Sequence, residues 1–158
     1  MTSVSASAVV QCLPKQAWAL VADVTRMADL SPECVSCSWV DGATGPEVGA
    51  RFRGRNRRRL GTWTTLCTVT EAEPGRVFAF AVGDPDDPVA VWRYSFVPAP
   101  EEATMVTETF ERRKPPGLRT RAGLLVLGIF DREADLKKGI ETTLARLQVA
   151  ARAATLAG

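Results

Sequence analysis

The sequence predicts an α+β fold in which a curved, seven-stranded antiparallel sheet wraps around one long C-terminal helix, with two short helices after the first strand. Three observations lead there. Residues 33–112 hold six consecutive strand-like runs separated by turn residues. Residues 131–154 carry apolar side chains at every third or fourth position. At 158 residues, 46% of them hydrophobic, the chain has the size of one domain with a sizeable core. A long amphipathic helix needs a wide apolar partner, and the inner face of the sheet is the one available.

Taken in order, "SVSASAVVQC" is small and β-branched and predicts the first strand. Pro14 suits the first turn of a helix over 14–23, where Trp18, Val21 and Ala22 share one side. "TRMADL" predicts a second short helix, with Thr25 as its N-cap and Pro32 ending it. Asp23 is expected to cap or pair locally. The six runs then end at Asp41-Gly42, near Gly61, at Pro74-Gly75, at "GDPDDP", at "PAPEE" and at Pro115-Pro116-Gly117, which describes a meander. The final helix is expected to start at Asp131. It presents Leu136, Ile140, Leu144 (or Thr143), Leu147 and Ala151 on its buried side, with Glu133 and Lys137 on the solvated one.

Composition excludes several chemistries. The chain has no histidine, so no Ser-His-Asp or Cys-His nucleophile pair and no His-containing metal site can form. Cys34 and Cys37 make a lone C-x-x-C, with Cys12 and Cys67 isolated. A zinc site would need a second ligand pair, and in a strand positions i and i+3 face opposite ways, so ordinary thiols are expected. The N-terminus lacks the charged and apolar regions of a signal peptide, and the longest apolar run, nine residues at 122–130, cannot span a bilayer. A soluble, cytoplasmic protein is expected.

The order of motifs is more specific than any one of them. "SPECV" at 31–35 is followed by G-x-x-F-x-G-x-N at 49–56, W-x-T-x-C-x-V at 63–69 and "EPGRVFAF" at 73–80. W-x-Y-x-F at 92–96 and "GIETTLARL" at 139–147 complete the series. With these residues the chain resembles the START-like, helix-grip superfamily (SRPBCC), and within it the polyketide cyclase/dehydrase type, as a single domain over 1–158. The resemblance implies the helix-grip fold and a cavity between sheet and long helix that holds a hydrophobic or amphipathic small molecule. It supplies no universal catalytic motif, and fold alone does not choose between carrier, enzyme and receptor.

Period two then assigns strand faces. "RFRGRNRRRL" at 51–60 holds six arginines, and taking those six from the 20 basic residues leaves 14 against 18 acidic ones. The footprint is one segment, whereas a nucleic-acid binder spreads it over a face. Phe52, Gly54 and Asn56 share one side of this strand, and Arg51, Arg53, Arg55 and Arg57 the other. Burying four guanidinium groups would cost several kcal/mol each, so the arginines are expected outward and Phe52 inward. Arg58 and Arg59 are expected in the turn.

The same alternation points Trp63, Thr65, Cys67, Val69, Phe78, Phe80, Val82, Trp92, Tyr94, Phe96, Val106, Glu108 and Phe110 inward. Phe52, Asn56, Trp63, Thr65, Phe78, Phe80, Trp92 and Phe110 are therefore the candidate ligand-binding residues. Glu108 is the candidate acid or base, since a carboxyl in an apolar cavity has a raised pKa. Tyr94, the one tyrosine in the chain, is the candidate donor to a carbonyl or enolate. Asn56, Thr65, Tyr94 and Glu108 lie on four strands and are expected to converge. The apolar segment 117–130, with Gly117, Gly123 and Gly128, is expected either to gate the cavity or to be fixed core.

These features suit a protein that binds a hydrophobic, aromatic or polyketide-like molecule and catalyses its cofactor-independent cyclisation or dehydration. A non-catalytic lipid or small-molecule carrier or sensor, or an interaction protein using the arginine strand, would suit them too. No cofactor and no metal are expected. The expected partner is a hydrophobic small molecule, not nucleic acid, and the oligomeric state stays open, a homodimer included.

Overall fold

The computed structural model describes residues 2–58, 61–115, 117–118, 122 and 132–157. Seven strands form one antiparallel sheet: β1 (Ser3–Val10), β2 (Cys34–Val40), β3 (Arg51–Arg58), β4 (Gly61–Glu73), β5 (Val77–Val82), β6 (Ala90–Ala99) and β7 (Ala103–Arg112). Their spatial order is β1-β7-β6-β5-β4-β3-β2, so the meander β2 to β7 runs in sequence and β1 adds to its far edge. Helix α1 (Pro14–Ala22), a 3-10 turn (Val24–Arg26) and helix α2 (Met27–Leu30) carry the chain from one edge strand to the other. Helix α3 (Arg132–Ala157) lies in the concave face and, at 26 residues, is about 39 Å long.

Local chemistry explains the ends. The Gln16 side chain accepts from the Leu13 N–H at 3.0 Å and Pro14 occupies the first turn, so α1 begins where its free N–H groups are used. Asp23, rather than Thr25, caps the next turn: its carboxylate accepts from both the N–H and the hydroxyl of Thr25. Thr25 itself is helical, and a carboxylate two residues upstream competes better for that N–H. The β4–β5 reversal needs Gly75, whose φ of +77° lies in the left-handed region.

Curvature comes from two irregularities. A register shift between Val69 and Glu71 bends the 13-residue β4, and another between Cys34 and Ser36 bends β2. The sheet therefore cups α3, whose buried face is Leu136, Ile140, Thr143, Leu144, Leu147 and Ala151. One core cluster joins that face to Phe52, Phe78, Phe80, Tyr94, Phe96, Val106 and Phe110 on the sheet and to Ala17, Val21 and Leu30 on the short helices. The Trp18 indole N–H donates to the Val77 carbonyl at 2.8 Å and fastens α1 to β5.

The arginine strand divides as the alternation requires. Phe52 and Gly54 are buried, whereas Arg53, Arg55 and Arg57 are exposed and Arg51 makes a surface pair with Asp41 at 2.7 Å. Exposed pairs of this kind contribute about 0–1 kcal/mol. Replacing Arg51, Arg53, Arg55 and Arg57 together by Gln should therefore shift the urea unfolding free energy by no more than about 1 kcal/mol. A loss of several kcal/mol would mean that these side chains carry buried contacts. Among the described residues no helix is long and apolar enough to cross a membrane. The expected gate, 117–130, falls almost wholly outside the described residues, as do Arg59 and Asp131.

Candidate functional site

Between the concave sheet and α3 lies a recess of about 730 Å³. Its walls contain Phe52 and Asn56 of β3, Trp63 and Thr65 of β4, Phe80 of β5, Trp92 and Tyr94 of β6, and Glu108 and Phe110 of β7. Leu136, Gly139, Ile140 and Thr143 of α3 form the opposite wall. Inward alternation on five adjacent strands brings these side chains together because alternate positions of each strand share the concave face. Gly54 matters for the shape: a Cβ there would stand 3.0 Å from the Thr65 hydroxyl, so a side chain would push into the recess wall.

Aromatic rings pave the sheet side. Trp92 and Phe110 pack with centroids 4.8 Å apart, and Phe52 meets Phe80 edge-on at 5.0 Å. Phe78 is the exception among the expected ligand-binding residues. It is fully buried and packs edge-on against Trp18 at 6.4 Å, so α1 covers it and it does not line the recess. Alternation names the face of a strand but not what lies over each position.

The four polar residues expected to converge do all reach the recess, as two pairs. The Asn56 amide donates to the Thr65 hydroxyl at 3.4 Å. Tyr94 and Glu108 are direct cross-strand neighbours, and the Tyr94 hydroxyl donates to Glu108 Oε1 at 2.8 Å. Glu108 is only 2% exposed. Its second oxygen, Oε2, is buried with no hydrogen-bond partner among the described residues. Burial pushes the Glu108 carboxyl up to about 8, against the smaller opposing effect of the Tyr94 hydrogen bond. Burial and the neighbouring carboxyl push Tyr94 well above its ordinary value, so it stays a neutral donor.

Two features depart from the expected strand pattern. Cys34 and Cys37 both border the recess, rather than facing opposite ways, because the β2 bulge between Cys34 and Ser36 inserts a residue and reverses the alternation. The Cys37 thiol lowers the Cys34 pKa by hydrogen bonding to it, while burial pushes Cys67, on the same wall, up to about 12. Among the described residues no group of three or more acids and thiols is placed to hold a metal ion.

Arg58 is the second departure. It ends β3 rather than lying in the turn, and its parity with Asn56 turns it toward the mouth of the recess. There it pairs with Asp135 at the start of α3 and with Glu33 at 3.1 Å. Arg132 joins the same two acids, at 2.9 Å to Glu33 and 3.0 Å to Asp135. This four-membered cluster ties the end of β3 to the α2–β2 connection and to the first turn of α3. Arg112, which also lines the recess, is a residue that sequence reasoning missed. The signal was present, since positions 108, 110 and 112 share one face of β7.

Comparison with known proteins agrees with this architecture. The family model described as polyketide cyclase / dehydrase and lipid transport matches residues 1–151. The solution structure of a Polyketide_cyc-like protein from Corynebacterium glutamicum is 35% identical, over 94% of this chain and 90% of that one, with a TM-score of 0.61. A Thermus thermophilus protein is 20% identical over 97% and 99% of the two chains, with a TM-score of 0.69. A Staphylococcus aureus protein of unknown function shares 8% identity over 98% and 97%, with a TM-score of 0.68. The last two show the fold alone. No curated protein matches the chain.

Proposed function

The chain belongs to the polyketide cyclase / dehydrase and lipid transport family, and from that premise we propose that it binds a hydrophobic, aromatic or polyketide-like molecule in the recess and acts on it by acid–base chemistry at Glu108. The observation that carries this reading is one atom. Glu108 Oε2 is buried, unpartnered among the described residues, and set in the wall of an aromatic recess. Leaving such an atom without a partner costs about 1–3 kcal/mol, which a ligand carbonyl or hydroxyl would recover. Near neutral pH most of the carboxyl is protonated, since its pKa lies at about 8. With Oε1 accepting from Tyr94, Oε2 is the oxygen left to carry the proton.

For a chain of alternating carbonyls, the ionised fraction of Glu108 takes a proton from a carbon between two carbonyls, and the C–H electron pair becomes the enolate. The enolate carbon bonds to a second carbonyl carbon of the same chain, whose π pair becomes an alkoxide. Glu108 returns the proton to that oxygen, and Tyr94 steadies the carboxylate between the two transfers. The step is an isomerisation, so atoms and electrons balance without a cofactor. The aromatic walls hold the chain folded, and such orientation supplies much of the acceleration in an intramolecular reaction.

The test uses native mass spectrometry of the purified protein with a synthetic tri-β-ketone thioester, followed by assay of ring formation. Binding with turnover is expected, and Glu108→Gln should cut turnover by about 10²–10⁴-fold while the complex persists. Binding without turnover would make the protein a carrier. Turnover unchanged in Glu108→Gln would remove this residue as the acid–base group.

A further inference from the structure

Among the described residues, the mouth of the recess holds one cation more than its acids. Three guanidinium groups are gathered there, Arg58, Arg112 and Arg132, but Glu33 and Asp135 are shared between Arg58 and Arg132 alone. Nearby acids are occupied elsewhere: Glu111 pairs with Arg113 at 3.0 Å and Asp87 with Lys114 at 2.5 Å. Arg112 thus has no acidic partner among the described residues. It is only partly exposed, and its guanidinium lies 5.6 Å from the centre of the Phe110 ring, which holds it along the wall. A half-buried cation of this kind pays for desolvation without a counter-charge. Burial and the nearby Arg132 accordingly lower its pKa, although an arginine remains charged.

The deep end is different in kind. Glu108 presents a mostly neutral carboxyl there, so the recess runs from a neutral hydrogen-bonding group, past Trp92 and Phe110, to a positive charge at the mouth that no acid among the described residues compensates. We propose that the ligand is an acidic amphipath, whose carboxylate is held by Arg112 at the mouth while its apolar body lies on the aromatic wall. The guanidinium fork matches a carboxylate with two parallel hydrogen bonds, and ring contact with Phe110 keeps the fork oriented. This inference rests on the reading that the recess binds a small molecule and adds which end of that molecule enters last.

The experiment compares dansyl-labelled undecanoic acid with its methyl ester by fluorescence titration, in the wild type and in Arg112→Gln. The two probes share one apolar body and differ in charge. Wild type should bind the acid about 10-fold or more tighter than the ester, the usual worth of a charge-assisted hydrogen bond. Arg112→Gln should abolish that preference and leave ester affinity within about twofold. Equal affinity of wild type for acid and ester would overturn the assignment of Arg112 and leave small-molecule binding standing. So would an acid preference that survives in Arg112→Gln. If neither probe bound the wild type, the binding reading and this inference would both fall. The wild-type comparison does not depend on how well the variant folds.

Discussion

Wild-type protein should lose stability as pH rises from 4.5 to about 8, by on the order of 5 kcal/mol, and Glu108→Gln should lack that loss. The folded-state pKa of Glu108 is raised, so the folded state keeps a proton that the unfolded chain has already released. Below 4.5 both states are protonated and the group is neutral to folding. Between the two values each unit of pH favours the unfolded chain by about 1.4 kcal/mol, and above about 8 both states are ionised and the loss is complete. With no histidine in the chain the side chain that ordinarily titrates in that window is missing, and the thiols titrate alike in both proteins, so the difference between the two profiles isolates Glu108. Urea unfolding at about pH 5 and about pH 8, compared between the two proteins, measures it. The amide that replaces the carboxyl in Glu108→Gln can still accept from Tyr94 through its carbonyl oxygen and carries no titrating proton. The variant should therefore be the more stable protein at the alkaline end. Parallel profiles for the two proteins would mean that Glu108 ionises in the folded state as freely as in the unfolded one.

Phe78→Ala should destabilise the protein by about 3–5 kcal/mol, the range for truncating a large buried aromatic. Phe78 is 0% exposed and sits where β5 meets α1, so its removal opens a hole that Trp18 and Phe80 must relax to fill. Trp92, by contrast, is only partly buried and borders the recess, where space already exists. Trp92→Ala should cost less stability and weaken the bound small molecule more. Urea unfolding, together with titration of the dansyl acid, separates the two effects. If Trp92→Ala were the more destabilising change and Phe78→Ala the one that weakened binding, the division between core and recess would be reversed.

The alternation within β3 to β7 was legible without a structure, because period two is a property of the extended backbone itself. It is why Phe52, Asn56, Thr65, Tyr94, Glu108 and the outward arginines are found on the expected faces. The helical repeat of α3 was legible for the same reason, with its buried stripe at Leu136, Ile140, Leu144, Leu147 and Ala151. Arg58, expected in the turn, instead continues the alternation to the end of β3, and Arg112 continues that of β7 past Phe110.

Tertiary structure decided the rest. A bulge in β2 adds one residue and reverses every facing beyond it, and no residue type in "CVSCSWV" announces it, so Cys34 and Cys37 reached one side only in the folded sheet. Packing of α1 over β5 separated Phe78 from Phe80, two neighbours that alternation treats alike. The pairing of Glu33 and Asp135 with Arg58 and Arg132, which leaves Arg112 without an acid among the described residues, depends on three segments far apart in the chain. Faces follow from the geometry of one strand, whereas coverings, bulges and charge balance follow from how distant segments pack together.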